Sequence, residues 1–178
     1  EIVSLFISIA KGTGTESDPF IIATPEDLAL MGTLCAGSFA DSFTGKCYKQ
    51  TADINMQNVS MPCIGNTSAK PFTGTYDGGG FTIKNLSPTP AASKAAGMFG
   101  YASGAKISNV KIDGYTNNGT NGEQGVIAGN AKNSTFSNIS VNAQVQFVLC
   151  ACGGIVGLME GGKISDCSVQ GFIHDEKS

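Results

Sequence analysis

The chain reads as an all-β protein: a parallel β-solenoid of coils about 28 residues long, with one short N-terminal capping helix. Three observations predict this. The first is a repeat. Gly97-Met98-Phe99-Gly100, Val126-Ile127-Ala128-Gly129 and Gly154-Ile155-Val156-Gly157 are each followed by a second block, Ile107-Ser108-Asn109-Val110, Phe136-Ser137-Asn138-Ile139 and Ile164-Ser165-Asp166-Cys167. The closing glycines 100, 129 and 157 recur at intervals of 29 and 28 residues. The second is composition. With 24 glycines and 14% charged residues, against a usual share of about a quarter, the chain suits short strands and tight turns better than helices. The third is a bend. The apolar residues flanking each Asn or Asp are three apart, which a straight strand would put on opposite faces. The chain must therefore turn at the Asn, a residue that tolerates left-handed backbone angles.

Taken in order, Ile2 to Ala10 is apolar and reads as a first strand. The competing readings are the tail of a leader and a segment swapped with a neighbouring chain. Gly12 to Pro19 is turn-rich, and Phe20-Ile21-Ile22 is a short strand. Thr24-Pro25-Glu26-Asp27 starts a helix: a Thr cap, Pro at the first helical position, and acids facing the dipole. Leu28, Met31, Leu34 and Cys35 follow at helical spacing, and Gly37 is the stop, so a helix is expected from Pro25 to Ala36. Short strands follow at Tyr48 to Ile54, Ile64, Phe72 to Tyr76 and Phe81 to Leu86, with Asp77-Gly78-Gly79-Gly80 as a turn. Ile83-Lys84-Asn85-Leu86 looks like a fourth copy of the second block.

Stacking then places Asn85, Asn109, Asn138 and Asp166 above one another, and Gly100, Gly129 and Gly157 at a corner where a side chain would clash. The second copy lacks the opening glycine in register, with Val126 in its place and Gly125 one residue earlier. One coil buries too little apolar surface to offset the entropy of ordering it, so stability must come from stacking. A single domain is expected over 1–178, with the cap and first coils over 12–90 and the three repeats over 91–173. The last repeat ends at Phe172-Ile173, and the few residues after it are too short to form a second cap. This leaves an end open to end-to-end contacts and suggests a fragment of a longer chain.

Once these units are in view, the chain resembles bacterial surface proteins carrying the GLUG repeat, including the N-terminal region of IgA1-specific zinc peptidases. The resemblance runs from Gly12 to Ile173. Its upstream half is carried by Gly12 to Ile22, Thr51-Ala52-Asp53-Ile54 and Pro71 to Leu86. It implies a right-handed β-helix on a secreted or cell-surface protein, serving adhesion, display or spacing. The H-E-x-x-H of the peptidase is absent, and Cys63, Cys150 and Cys152 depart from the family pattern.

Net charge is −3. All the basic residues are lysines, which argues against a nucleic-acid or phosphate-clamping partner. The longest apolar run, Phe147 to Met159, is too short and too glycine-rich to span a bilayer. The six cysteines form no C-x-x-C pair, and with the lone His174 they do not suggest zinc. Cys63, Cys150, Cys152 and Cys167 read as small core hydrophobes, and Cys35 with Cys47 as a possible disulfide. No metal or cofactor is implied. The calcium β-roll nonapeptide is missing.

The expected function is therefore non-enzymatic: a surface module contacting glycans or surface proteins, with Tyr76, Tyr101 and Tyr115 as sugar-stacking candidates. The competing reading of these tyrosines is that they cover corners of the solenoid. The alternative function is a polysaccharide lyase or hydrolase, which needs two carboxyls about 5–9.5 Å apart. Asp53, Asp77 and Asp113 are the acids weighed for it. Six N-x-Ser/Thr sequons occur against about two expected by composition, at Asn58, Asn66, Asn85, Asn118, Asn133 and Asn138. The repeat itself generates Asn85 and Asn138, and glycosylation is discounted for a bacterial protein.

Overall fold

In the computed structural model, strand accounts for 51% of the chain and helix for 10%, so the protein is mostly β. The structure describes residues 11–91, 95–119, 122–148 and 150–176. The strand expected over Ile2 to Ala10 lies outside them. Chain order begins with β1 (Phe20–Ile22), α1 (Pro25–Ala36), α2 (Ala40–Phe43), β2 (Cys47–Gln50), β3 (Ile54–Asn55) and β4 (Met61–Pro62). It continues with β5 (Thr75–Asp77), β6 (Thr82–Leu86), β7 (Pro88–Thr89), β8 (Phe99–Ser103), β9 (Lys106–Ser108), β10 (Lys111–Tyr115) and β11 (Gly122–Gly125). It closes with β12 (Ala128–Ser137), β13 (Ser140–Val148), β14 (Cys150–Gly153), β15 (Val156–Ser165) and β16 (Ser168–Glu176).

Two open parallel sheets organise the chain. One runs β1-β2-β5-β9-β12-β15, with β8 also on β12; the other runs β3-β6-β10-β13-β16. Parallel pairs β4-β7 and β11-β14 stand beside them. In the larger sheet Phe20, Tyr48, Tyr76, Ile107, Phe136 and Ile164 lie opposite one another in sequence, at steps of 28, 28, 31, 29 and 28 residues. In the smaller sheet the matching column is Ile54, Ile83, Ile112, Val141 and Val169. Both columns point inward and are buried until the last strand, where Ile164 and Val169 are exposed together with Leu158. Aromatic rings continue the stacking inside: Phe20 to Tyr48 at 5.5 Å, Tyr48 to Phe72 at 6.0 Å and Phe72 to Phe99 at 4.9 Å.

The helix start follows its sequence signals. Thr24 Oγ1 accepts the Asp27 N–H at 3.2 Å, and Asp27 Oδ2 accepts the Thr24 N–H at 3.0 Å, which closes a capping box. Leu28, Met31, Leu34 and Cys35 are buried against the first coils. The one-turn helix α2 was not expected, because four residues are too few for a helical period to register.

The fourth copy of the second block is misaligned in the sequence reading. Ile83 lies opposite Ile112, not Ile107, so Asn85 stands opposite Gly114. The position before Asn109 belongs to the Asp77-Gly78 turn, since Asp77 lies opposite Ser108. The chain turns through left-handed corners at more than one place, and the same short motif fits two kinds of them: φ is 54° at Asn85, 57° at Asn109, 53° at Asn138 and 56° at Asp166.

The opening glycine is not missing from the second copy either. Gly125 lies opposite Gly153, and Ala96 opposite Gln124, which sets Gly97, Gly125 and Gly153 in one column. The first copy is one residue shorter between its glycines. Gly100, Gly129 and Gly157 form the adjoining column. A Cβ at Gly129 would lie 2.6 Å from the Ala96 nitrogen, and one at Gly157 2.5 Å from the Gln124 nitrogen. Backbone passes here at a distance that leaves no room for a side chain.

Candidate functional site

Side chains that point out of the larger sheet form regular rows, because successive residues alternate between faces. Lys49, Asp77, Ser108, Ser137 and Ser165 make one row, and Cys47, Thr75, Lys106, Thr135 and Lys163 the next. Where the first row meets the turn after β5, a groove of about 540 Å³ opens. Its walls are Lys49, Thr51, Asp77, Gly79, Gly80, Phe81, Asn109 and Asn138, with Gln50 at its base. A second groove of about 620 Å³ shares Lys49, Thr51 and Asp77 and extends to Glu16, Thr75 and Lys106.

The polar wall is a hydrogen-bonded column. Asp77 Oδ1 accepts the Gly79 N–H at 2.9 Å and Asn109 Nδ2–H at 2.8 Å. Asn138 in turn donates from Nδ2 to Asn109 Oδ1 at 2.8 Å. The turns after three neighbouring strands of the larger sheet are thus tied side chain to side chain. The apolar element is Phe81, 37% exposed, its ring lying over Gly79. A large exposed ring beside hydroxyls, amides and a lysine offers a sugar both a surface for its C–H face and partners for its hydroxyls.

The tyrosines expected at such a site lie elsewhere. Tyr76 is fully buried and donates its hydroxyl to Gln50 Oε1 at 3.1 Å. Tyr115 is buried, and its hydroxyl has no hydrogen-bond partner among the described residues. Burial pushes both phenols far up from their ordinary range. Both sit on inward positions of their strands, so neither can stack on a ligand. Tyr101 is half-buried on β8. Phe81 is the aromatic that the sequence reading overlooked. It follows three glycines, and an exposed Phe after a turn looks like the first residue of a strand.

The proposed Cys35–Cys47 disulfide is absent, and both thiols are free. Cys47 precedes the inward Tyr48 on β2 and so points to the other face, away from Cys35. Cys35 Sγ lies 3.7 Å from the Tyr48 hydroxyl, and burial pushes its thiol up to about 12. Cys63 is likewise buried, its thiol pushed up to about 11 by desolvation. Cys167 is half-buried and donates to the Ser165 carbonyl at 3.1 Å. The side chains of Cys150 and His174 lie outside the described residues.

The three acids weighed for catalysis each commit an oxygen to a structural bond. Asp53 accepts the Thr82 N–H at 2.8 Å, Asp113 accepts Asn142 Nδ2–H at 3.0 Å, and Asp77 holds the column above. Among the described residues, no three His, Cys, Asp or Glu side chains gather closely enough to hold a metal ion, and no helix is long and apolar enough to cross a membrane.

With this geometry in hand, one relative bears on the chain. Over 143 residues it is 30% identical to halomucin of Haloquadratum walsbyi (strain DSM 16790 / HBSQ001). The aligned stretch covers 75% of this chain and 2% of halomucin, which makes that protein many times longer. No family model matches the chain, the GLUG repeat included. No solved structure matches it.

Proposed function

We propose that this chain is a non-enzymatic, right-handed parallel β-solenoid module of a secreted or cell-surface protein, serving adhesion and display through the groove at Phe81. Parallel strands of one sheet are joined by right-handed crossovers in about 98% of cases, which favours the right hand for these coils. Inward positions are taken up by stacking, and the acids by bonds between and within coils. What remains for recognition is the outer surface. The observation that carries the reading is the exposed Phe81 ring set in a polar groove. The likeness to a far longer protein supports a repeated or multi-module setting.

The test is retention on immobilised neutral and acidic polysaccharides, measured by affinity electrophoresis. The chain should be retarded by at least one class. Phe81→Ala should weaken that retention at least about fivefold, equivalent to ~1 kcal/mol, without changing the melting temperature. Equal retention of the variant sinks the site. Release of reducing ends from any polysaccharide sinks the non-enzymatic reading.

A further inference from the structure

The fold separates the six sequons into two groups. Asn138, Asn85 and Asn118 use their amide nitrogens between coils, donating to Asn109, to Asn55, and to Ser87 with the Pro88 carbonyl, at 2.8–3.0 Å. Asn66 is half-buried, with its Oδ1 shut off from solvent. A sugar on Asn138, Asn85 or Asn118 would sit on a nitrogen already engaged by a neighbouring residue, and one on Asn66 would sit on a half-buried amide.

Asn133 and Asn58 are placed differently. Asn133 is exposed at a left-handed corner within β12, with φ 48°. The register sets Gly104 of the preceding coil and Gly161 of the following coil on either side of it. Neither neighbour has a side chain, and a Cβ built at Gly104 would meet nothing within 4 Å. Asn58 is exposed at φ 64°, the third residue of a turn closed by the Val59 N–H on the Met56 carbonyl at 2.9 Å. Neither amide nitrogen carries a hydrogen bond among the described residues, and both side chains are exposed at outside corners, that of Asn133 with its Oδ1 laid over the bare Gly161 backbone.

We propose that Asn133 and Asn58 carry N-linked glycans and that the other four sequons are bare in the folded protein. This rests on the export reading above. The donor is a polyprenyl-phosphate-linked oligosaccharide. Asn Nδ2 attacks the anomeric carbon, so an N–C bond forms while the C–O bond to phosphate breaks. The electron pair leaves with the phosphate oxygen, and Nδ2 gives up one of its two protons. No oxidant or reductant is needed. At Asn138 and Asn85 the sugar would replace one of the two protons on a nitrogen already bonded to the neighbouring strand's Asn, so attachment there competes with that bond, and the folded population carries its sugars at the two corners.

Glycopeptide mass spectrometry of the folded protein purified from its own cells tests this site by site. Sugar at Asn133 and at Asn58, with the other four unmodified, is the expected result. A bare Asn133 or Asn58, or sugar on any of the other four, overturns it. Protease shaving of intact cells reads export separately. A surface-exposed chain with bare corners refutes the site assignment alone, whereas a chain sheltered from protease refutes the export reading and the glycans with it.

Discussion

Replacing Gly129 by Ala adds one methyl group at a point where backbone segments approach closely. A Cβ there would lie 2.6 Å from the Ala96 nitrogen, 2.8 Å from the Glu123 carbonyl oxygen and 2.9 Å from the Ala95 carbonyl carbon. All three atoms are backbone, so none can rotate away. Relief requires one coil to shift against the next, which disturbs the ladder on both sides. Overpacking of this kind costs about 1–3 kcal/mol, and the absence of any flexible neighbour places Gly129→Ala at the upper end. For a chain of this length ~3 kcal/mol corresponds to a fall in melting temperature of about 6–12 °C. Gly37→Ala is the control: φ is −98° and the nearest atom to its Cβ is 3.4 Å away. Thermal unfolding followed by circular dichroism compares the two. A Gly129→Ala protein melting within about 2 °C of the parent would refute close coil approach as the reason for these glycines.

Three further outcomes follow from the same geometry. Asn138→Ala loses the 2.8 Å bond to Asn109 and forces Ala into a left-handed angle, a loss of about 2–3 kcal/mol in urea unfolding. Asn138→Gly removes only the bond and should cost about 1 kcal/mol. Tyr115→Phe deletes a buried hydroxyl that has no hydrogen-bond partner among the described residues and should raise stability by about 1 kcal/mol, again read from the urea midpoint. Cys35 and Cys63, with Tyr48, Tyr76 and Tyr115, stay protonated in the fold above the pH at which they ionise in the unfolded chain. Their folded values are raised, so their contribution is complete below about pH 9 and is lost as pH rises towards 11–12. Melting temperatures measured from pH 8 to 11 should therefore fall, and iodoacetamide at pH 8 should label Cys35 and Cys63 only after unfolding.

Much of the architecture is legible in local chemistry. Thr24, Pro25 and Asp27 specify a helix start through hydrogen bonds to the next three residues, so no tertiary information is needed. The glycine and Asn spacing likewise reports the coil period directly. Register between coils is another matter. The block Ile83-Lys84-Asn85-Leu86 matches the repeat in letters but sits at a different corner, because apolar-polar-Asn-apolar suits any left-handed bend with inward neighbours. The distance from Tyr76 to Ile107 is 31 residues, so one longer coil was enough to mislead an alignment built on 28 and 29. Facing is equally hard to read when aromatic and polar residues alternate. Tyr76 and Tyr115 look like surface rings in sequence and turn inward because their strand neighbours fix the phase. Phe81 has no such partner, and only the fold shows that its ring is left in the groove. Cys35 and Cys47 are the pair left once the other four cysteines are read as small hydrophobes, yet one residue's offset from Tyr48 puts Cys47 on the opposite face.

Pulsed electron–electron distances between nitroxide labels on the outer face test the stacked arrangement most directly. Lys49, Ser137 and Ser165 share one outward row, with Lys49 three rungs from Ser137 and four from Ser165. At about 4.8 Å per rung the backbone separations are ~14 Å and ~19 Å. Stacked strands give narrow distributions for both pairs, the second longer by about one rung although 28 more residues intervene. Broad distributions, or a Lys49–Ser165 distance no longer than Lys49–Ser137, would contradict the stacked arrangement.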